Sequence, residues 1–125
     1  MRASKDELSQ AVDTLAQRPG IRGCALVEAG SGMVWTAHGE LAAQASLWEA
    51  ASDHWRLHRR HAAHFGCLGD FIAVALYHAD GLIAVFRCAA DPELLFIAVG
   101  QHRAVDWPTL QRMGMRIGEL VAGRG

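Results

Sequence analysis

Successive apolar residues, rather than alternating ones, form the core of each extended segment: Cys24-Ala25-Leu26-Val27, Phe71-Ile72-Ala73-Val74-Ala75-Leu76, Leu82-Ile83-Ala84-Val85-Phe86 and Leu94-Leu95-Phe96-Ile97-Ala98-Val99. A strand with one wet face alternates, so unbroken apolar runs require a sheet covered on both sides. The connections are hairpin-short: Ala29-Gly30-Ser31-Gly32, His78-Ala79-Asp80-Gly81 and Ala89-Ala90-Asp91-Pro92-Glu93. Short turns force antiparallel neighbours. An antiparallel sheet clad by helices on both faces is an uncommon combination. It narrows the fold sharply and says far less about function.

At 125 residues the chain is expected to form one domain, 1–125, with a substantial core and no room for a second. Twelve Lys+Arg against 13 Asp+Glu leave a net charge of −1, which argues for neither a nucleic acid nor a membrane as partner. Seven histidines make that charge strongly pH-dependent near neutrality. Cys24, Cys67 and Cys88 are odd in number and show no CxxC spacing. Two of them sit inside apolar runs, where a free thiol behaves as a small hydrophobe, so a reduced, cytoplasmic chain is expected. The Met1-Arg2-Ala3-Ser4-Lys5-Asp6-Glu7 start lacks the apolar core of a signal peptide. No apolar run approaches the roughly 18 residues of a membrane span.

Ser4-Lys5-Asp6-Glu7 is a capping box. Leu8, Ala11, Val12 and Leu15 follow at helical spacing, and Pro19-Gly20 ends that helix. A hairpin is predicted over roughly 21–28 and 33–38 around Gly30-Ser31-Gly32. From about 41 to 64 there is neither Gly nor Pro, which predicts a long helix. Its apolar stripe holds Leu41, Trp48, Ala51, Trp55 and Ala62, with Glu49, Asp53, Arg56 and Arg60 opposite. Gly66 and Gly69 close it and Asp70 leads into the third strand. Strands three to five run to Val99, and Gly100-Gln101-His102-Arg103 makes a loop. Asp106 is a candidate N-cap with Pro108 in the first turn. Leu110, Met113, Ile117, Leu120 and Val121 give the last helix its apolar face, while Gly114 and Gly118 allow close approach to the sheet. Gly123-Arg124-Gly125 is expected to fray. The order is helix, two strands, long helix, three strands, helix.

With these residues in place the chain resembles a roadblock domain of the dynein light-chain type, in a single-domain bacterial form. The best local match is Leu15-Ala16-Gln17-Arg18-Pro19-Gly20-Ile21-Arg22-Gly23-Cys24-Ala25-Leu26-Val27, similar to that family's helix end, "pGv-x-G" turn and first strand. The second is the Asp80-Gly81 hairpin, followed by an apolar strand and Leu94–Val99. The resemblance implies an α+β, profilin-like sandwich: a five-stranded antiparallel sheet with the long helix on one face and both terminal helices on the other. It further implies homodimers that pair through the third strand and long helix. Members serve as adaptor platforms, and several bind or regulate small Ras-like GTPases. The long helix departs from the common pattern in its wealth of Trp, His and Arg. Independently of the resemblance, Phe71–His78 is too apolar for a bare edge strand and should be covered or paired. Trp48, Phe71, Ile72, Val74 and Leu76 are therefore the expected dimer interface.

His54, His58 and His61 share one flank of the long helix, His64 continues the row, and Cys67 lies three residues beyond. An i, i+4 histidine pair can supply two zinc ligands, but a third and fourth are not evident and no HExxH glutamate is present. A metal- or small-ligand-sensing module on His54, His58 and His61 is thus the alternative to the plainer reading, a helix flank at an interface. Arg56, Arg59 and Arg60 add a basic patch diluted by Glu49 and Asp53, which could meet an acidic partner or phosphate. Nothing in the pattern supports nucleic-acid binding. Trp48 and Trp55, seven apart, are expected to pack on the sheet or on a partner's helix, with Trp35 and Trp107 in core or rim. No GxSxG elbow, placed Cys/His pair, phosphate-cradling loop or paired carboxylates suggests an enzyme. The expectation is a non-catalytic, cofactor-free, homodimeric platform for a small GTPase, with Trp55, Arg56, His58 and Arg59 as partner contacts.

Overall fold

A computed structural model describes residues 4–90, 92–101 and 103–123. The expectations for Met1–Ala3, Asp91, His102 and the Arg124-Gly125 end lie outside the described residues. Helix α1 (Lys5–Ala16) starts where the Ser4 hydroxyl accepts from the Glu7 N–H at 3.1 Å. Strands β1 (Ile21–Glu28) and β2 (Val34–His38) form the first hairpin, and α2 (Ala45–His61) follows. A 3-10 segment (Ala62–Leu68) leads to β3 (Ala73–His78), β4 (Gly81–Ala90), β5 (Glu93–Gly100) and α3 (Trp107–Val121). The strands make one antiparallel sheet in the order β2-β1-β5-β4-β3, so β2 and β3 are its two edges.

Both faces of the sheet are dry through β1, β4 and β5, as their unbroken apolar runs require, whereas the third run is only half covered along the edge strand β3. Cys24, Leu26, Phe86, Leu94 and Phe96 pack with Leu8, Val12 and Leu15 of α1 and Leu110, Ile117 and Val121 of α3. Their strand neighbours Ala25, Val27, Val85, Leu95 and Ile97 pack with Trp48, Ala51 and Trp55 of α2. The period of two along each strand thus sends one set of side chains to each helical layer. Helix α3 sits very close to the sheet. A Cβ on Gly118 would fall 1.5 Å from the Cys88 carbonyl oxygen, and one on Gly114 2.8 Å from the Phe96 ring. The β4–β5 register shifts between Arg87 and Ala89, bracketing that same Cys88.

The long helix is shorter than its Gly- and Pro-free stretch. Gly39 turns the chain at φ +99°, the Leu41 N–H bonds the Arg22 carbonyl, and Gln44 is the first cap. Leu41 still reaches the same core, but from a turn rather than a helical face. Beyond His61 the helix tightens to 3-10 geometry with a break at Phe65 (φ −115°, ψ 23°), which takes Ala62 off the stripe. The third strand begins at Ala73, two residues later than the apolar run suggests, because Phe71 turns to stack on Trp55 (ring centroids 4.4 Å apart). At the last helix, Asp106 accepts from the Thr109 N–H at 3.2 Å and the Thr109 hydroxyl at 2.7 Å, which holds its carboxyl below the usual range. No helix among the described residues is long and apolar enough to cross a membrane.

Candidate functional site

Helix α2 presents one face to the sheet and the other to solvent, and this division sorts the expected site residues. Trp48 and Trp55 are each 1% exposed. Both rings lie in the core of their own protomer, Trp48 donating its Nε1–H to the Ala42 carbonyl at 3.2 Å. That corrects two expectations: Trp48 has no surface to give a dimer interface, and Trp55 none to give a client. The physical reason is the small residues opposite them. Ala25 and Ala29 leave a space that large rings fill.

The outer face carries the charge. Arg56 donates to the Ala29 carbonyl at 2.8 Å and pairs with Asp53, and Arg59 pairs across to Glu93 at the start of β5. Both guanidiniums are thereby tethered to the protomer, though each keeps an exposed side. Together with Ala50, His54, Leu57 and Arg60 they line an open depression along the helix. His54 and His58 stack with ring centroids 6.4 Å apart, and His61 and His64 lie 6.3 Å apart at a tilt. Among the described residues no three His, Cys, Asp or Glu side chains are arranged to hold one metal ion. The row His54, His58, His61 runs along the single helix α2.

Between the end of α2 and the β3 edge strand, several large apolar side chains stay exposed. Leu57, Phe65, Leu68, Ile72 and Tyr77 are all exposed, Leu68 by 80%. Phe71, Val74 and Leu76 are half-buried. Exposed large apolar groups clustered next to an unpaired strand edge are a surface that association would cover.

At the opposite edge the structure assembles a polar cluster that sequence reasoning missed. His38 Nε2 lies 2.8 Å from Ser9 Oγ and 2.9 Å from Thr36 Oγ1, while the Thr36 hydroxyl donates to Ser9 Oγ at 3.2 Å. On the other side of the ring, Nδ1 is 3.5 Å from Asp13 Oδ1. Ser9 and Asp13 are four apart, which places them on one face of α1, but nothing local in the sequence announces that β2 will bring His38 to them. The free thiols behave as their places in the sequence suggest. Burial pushes Cys24 and Cys88 up to about 12, leaving both neutral, whereas Cys67 is exposed.

This architecture is the roadblock fold. The solved roadblock/LC7 domain from Streptomyces avermitilis superposes at a TM-score of 0.75, with 20% identity, covering 94% of each chain. Gliding protein MglB from Thermus thermophilus gives 0.71 at 16% identity, covering 99% of this chain and 93% of its own. An MglB with tetrameric arrangement gives 0.74 at 14%, covering 99% and 92%. At such identities the likeness is one of fold. No family model matches the chain, and no curated protein matches it in sequence.

Proposed function

We propose that the protein is a homodimeric, roadblock-type interaction platform working in a reducing cytoplasm, with a Ras-like small GTPase as client. The observation that carries this reading is the set of exposed apolar side chains Leu57, Phe65, Leu68, Ile72 and Tyr77 on α2, the 3-10 segment and the edge strand β3. On a two-fold axis, β3 and the outer flank of α2 would meet their own copies, burying Phe71, Ile72, Val74, Leu76 and Leu68. An isologous contact needs only one such patch per subunit. The tetrameric arrangement of an MglB of the same fold supports the idea that this fold assembles. The client would meet the charged side of α2, where His58 and Arg60 are exposed and Arg56 and Arg59 keep partial exposure. A platform of this kind acts by holding the GTPase's own groups in place and needs no cofactor or catalytic group of its own.

Two measurements test the reading. Light scattering should give twice the chain mass for the wild type and the monomer mass for Leu68→Glu/Ile72→Glu. A pull-down from native lysate with a GTP analogue or GDP should retain a Ras-like GTPase in one nucleotide state. Charge reversal at Arg56 and Arg59 should abolish that capture. A monomeric wild type would overturn the dimer, and capture unchanged by the reversals would overturn the client surface.

A further inference from the structure

We propose that Ser9, His38 and Asp13 form an acyl-transfer site at the β2 edge, taking esters with a short apolar acyl group. Three observations meet there. The first is the order of the groups: hydroxyl, imidazole and carboxylate in line, at 2.8 Å and 3.5 Å. With Nδ1–H toward the Asp13 carboxylate, Nε2 is left as the acceptor for the Ser9 hydroxyl. Thr36 Oγ1 lies 3.2 Å from Ser9 Oγ and 2.9 Å from the same Nε2, so a Thr36 hydroxyl that donates to Ser9 Oγ leaves the Ser9 proton for the ring. The second is access. Ser9 is half-buried, and the His38 and Asp13 side chains are 27% and 37% exposed, so an ester can reach the hydroxyl.

The third observation is a cleft that adjoins the cluster at Thr36. An open cleft of about 390 Å³ is lined by Lys5, Leu8, Met33, Val34, Trp35 and Thr36, within the range that holds small ligands. Thr36 belongs to both cleft and cluster. The β1–β2 register explains the shape: Val34 faces Val27 and Thr36 faces Leu26, so Trp35 is the extra residue of a bulge. A bulge re-aims its side chain, and Trp35 turns to the α1 side, where it packs against the core beneath α1 and α3. Leu8, Met33, Val34 and Trp35 make the walls apolar enough for an acyl chain, and Thr36 is where the cleft meets the polar cluster.

In the proposed step the Ser9 Oγ lone pair attacks the acyl carbonyl carbon as the Ser9 proton passes to His38 Nε2. The tetrahedral adduct collapses, the bond to the leaving oxygen breaks, and that oxygen takes the proton from His38 and departs as the alcohol. Water then attacks the acyl-Ser9 ester with His38 again accepting a proton, releasing the carboxylic acid and restoring Ser9. β2 is an outermost strand, so alternate N–H groups along Val34–His38 lack a neighbouring strand and are the donors available to the adduct's oxyanion. Ser9 and His38 are the catalytic residues. Asp13 and Thr36 are positioning residues.

The test uses the whole chain, a fluorophosphonate probe and p-nitrophenyl butyrate. One phosphonyl adduct should form, mapped to Ser9 by peptide mass spectrometry, and His38→Gln should prevent it. Ester hydrolysis should fall about 100-fold or more in Ser9→Ala and His38→Gln. Asp13→Asn should lower kcat for the butyrate ester with little change in KM, and Asp13→Glu should restore part of it, a split that a merely structural carboxylate would not give. Because the labelling is read on the wild type, a poorly folding variant does not blunt the experiment. No adduct, an adduct elsewhere, or Ser9→Ala hydrolysing as fast as wild type would overturn the proposal. Dimer mass and GTPase capture are read at the far edge and are independent of either result.

Discussion

The two edges of one sheet are finished in opposite ways. At β2 the strand is backed by α1, and Ser9, Thr36, His38 and Asp13 knit it to that helix through hydrogen bonds. At β3 the backing is α2 and a 3-10 segment with no buried residue, and what faces outward is Leu68, Ile72 and Tyr77. An edge finished with polar groups is stable in water alone, while an apolar edge is stable only when covered. The difference underlies both proposals, association at β3 and small-molecule chemistry at β2.

The largest effect expected from breaking this contrast comes from Trp55. Its ring fills the α2 layer and carries Phe71 on its face, so it fixes the entry to β3. Trp55→Ala should cost about 3–5 kcal/mol in urea unfolding. It should also weaken dimerisation, while leaving the Ser9 adduct in place at temperatures where the variant is folded. Equal damage at both edges would mean that they are not independent.

Alkaline pH acts on the sheet from within. Cys24 pairs with His38 on the β2 side and Cys88 lies in β4 on the β3 side, and burial raises both thiols from 9.0 to about 12. The unfolded chain releases these protons above pH 9 and the folded chain holds them. The stabilisation is therefore full below pH 9 and declines as pH rises toward 12, by about 1.4 kcal/mol per thiol per pH unit. Urea midpoints at pH 8, 9 and 10 should fall accordingly, and Cys24→Ala should halve the slope. Alkylation of the native protein sharpens the comparison further. Cys67 should react at once, then Cys88 faster than Cys24 in dilute monomer, with the gap closing as dimer forms.

Why the fold was legible and the β2 site was not follows from sequence distance. Unbroken apolar runs and short turns are local signals, and they fixed strand number, pairing sense and the two-sided core. Gly114 and Gly118 likewise announced the close approach of α3. The limits of α2 were misread because Leu41 and Ala62 match the helical period yet sit in a turn and a 3-10 segment, shaped by Gly39 and the break at Phe65. Trp48 and Trp55 were legible as apolar-stripe residues, but their competition between core and interface was decided by the small alanines opposite. The Ser9, Asp13 and His38 cluster depends on packing between residues 25 or more positions apart and on a bulge at Trp35. The i, i+4 spacing of Ser9 and Asp13 was the only local trace.

The smallest predicted effect is the one that makes the edge comparison a controlled one. Met33 is 55% exposed at the β2 edge, much as Ile72 is 53% exposed at the β3 edge. Matched exposure means that Met33→Glu and Ile72→Glu place the same charge in equal contact with water in the isolated protomer. Each should then shift unfolding by no more than about 0.5 kcal/mol at concentrations where the chain is monomeric. Only Ile72→Glu should raise the dimer dissociation constant, by about 10- to 100-fold, because only there would association drag the carboxylate out of water. Met33→Glu should instead raise KM for the butyrate ester without moving the mass, since Met33 lines the cleft. Sedimentation across a concentration series separates these outcomes, and a shift in dimerisation by Met33→Glu equal to that of Ile72→Glu would show that both edges associate.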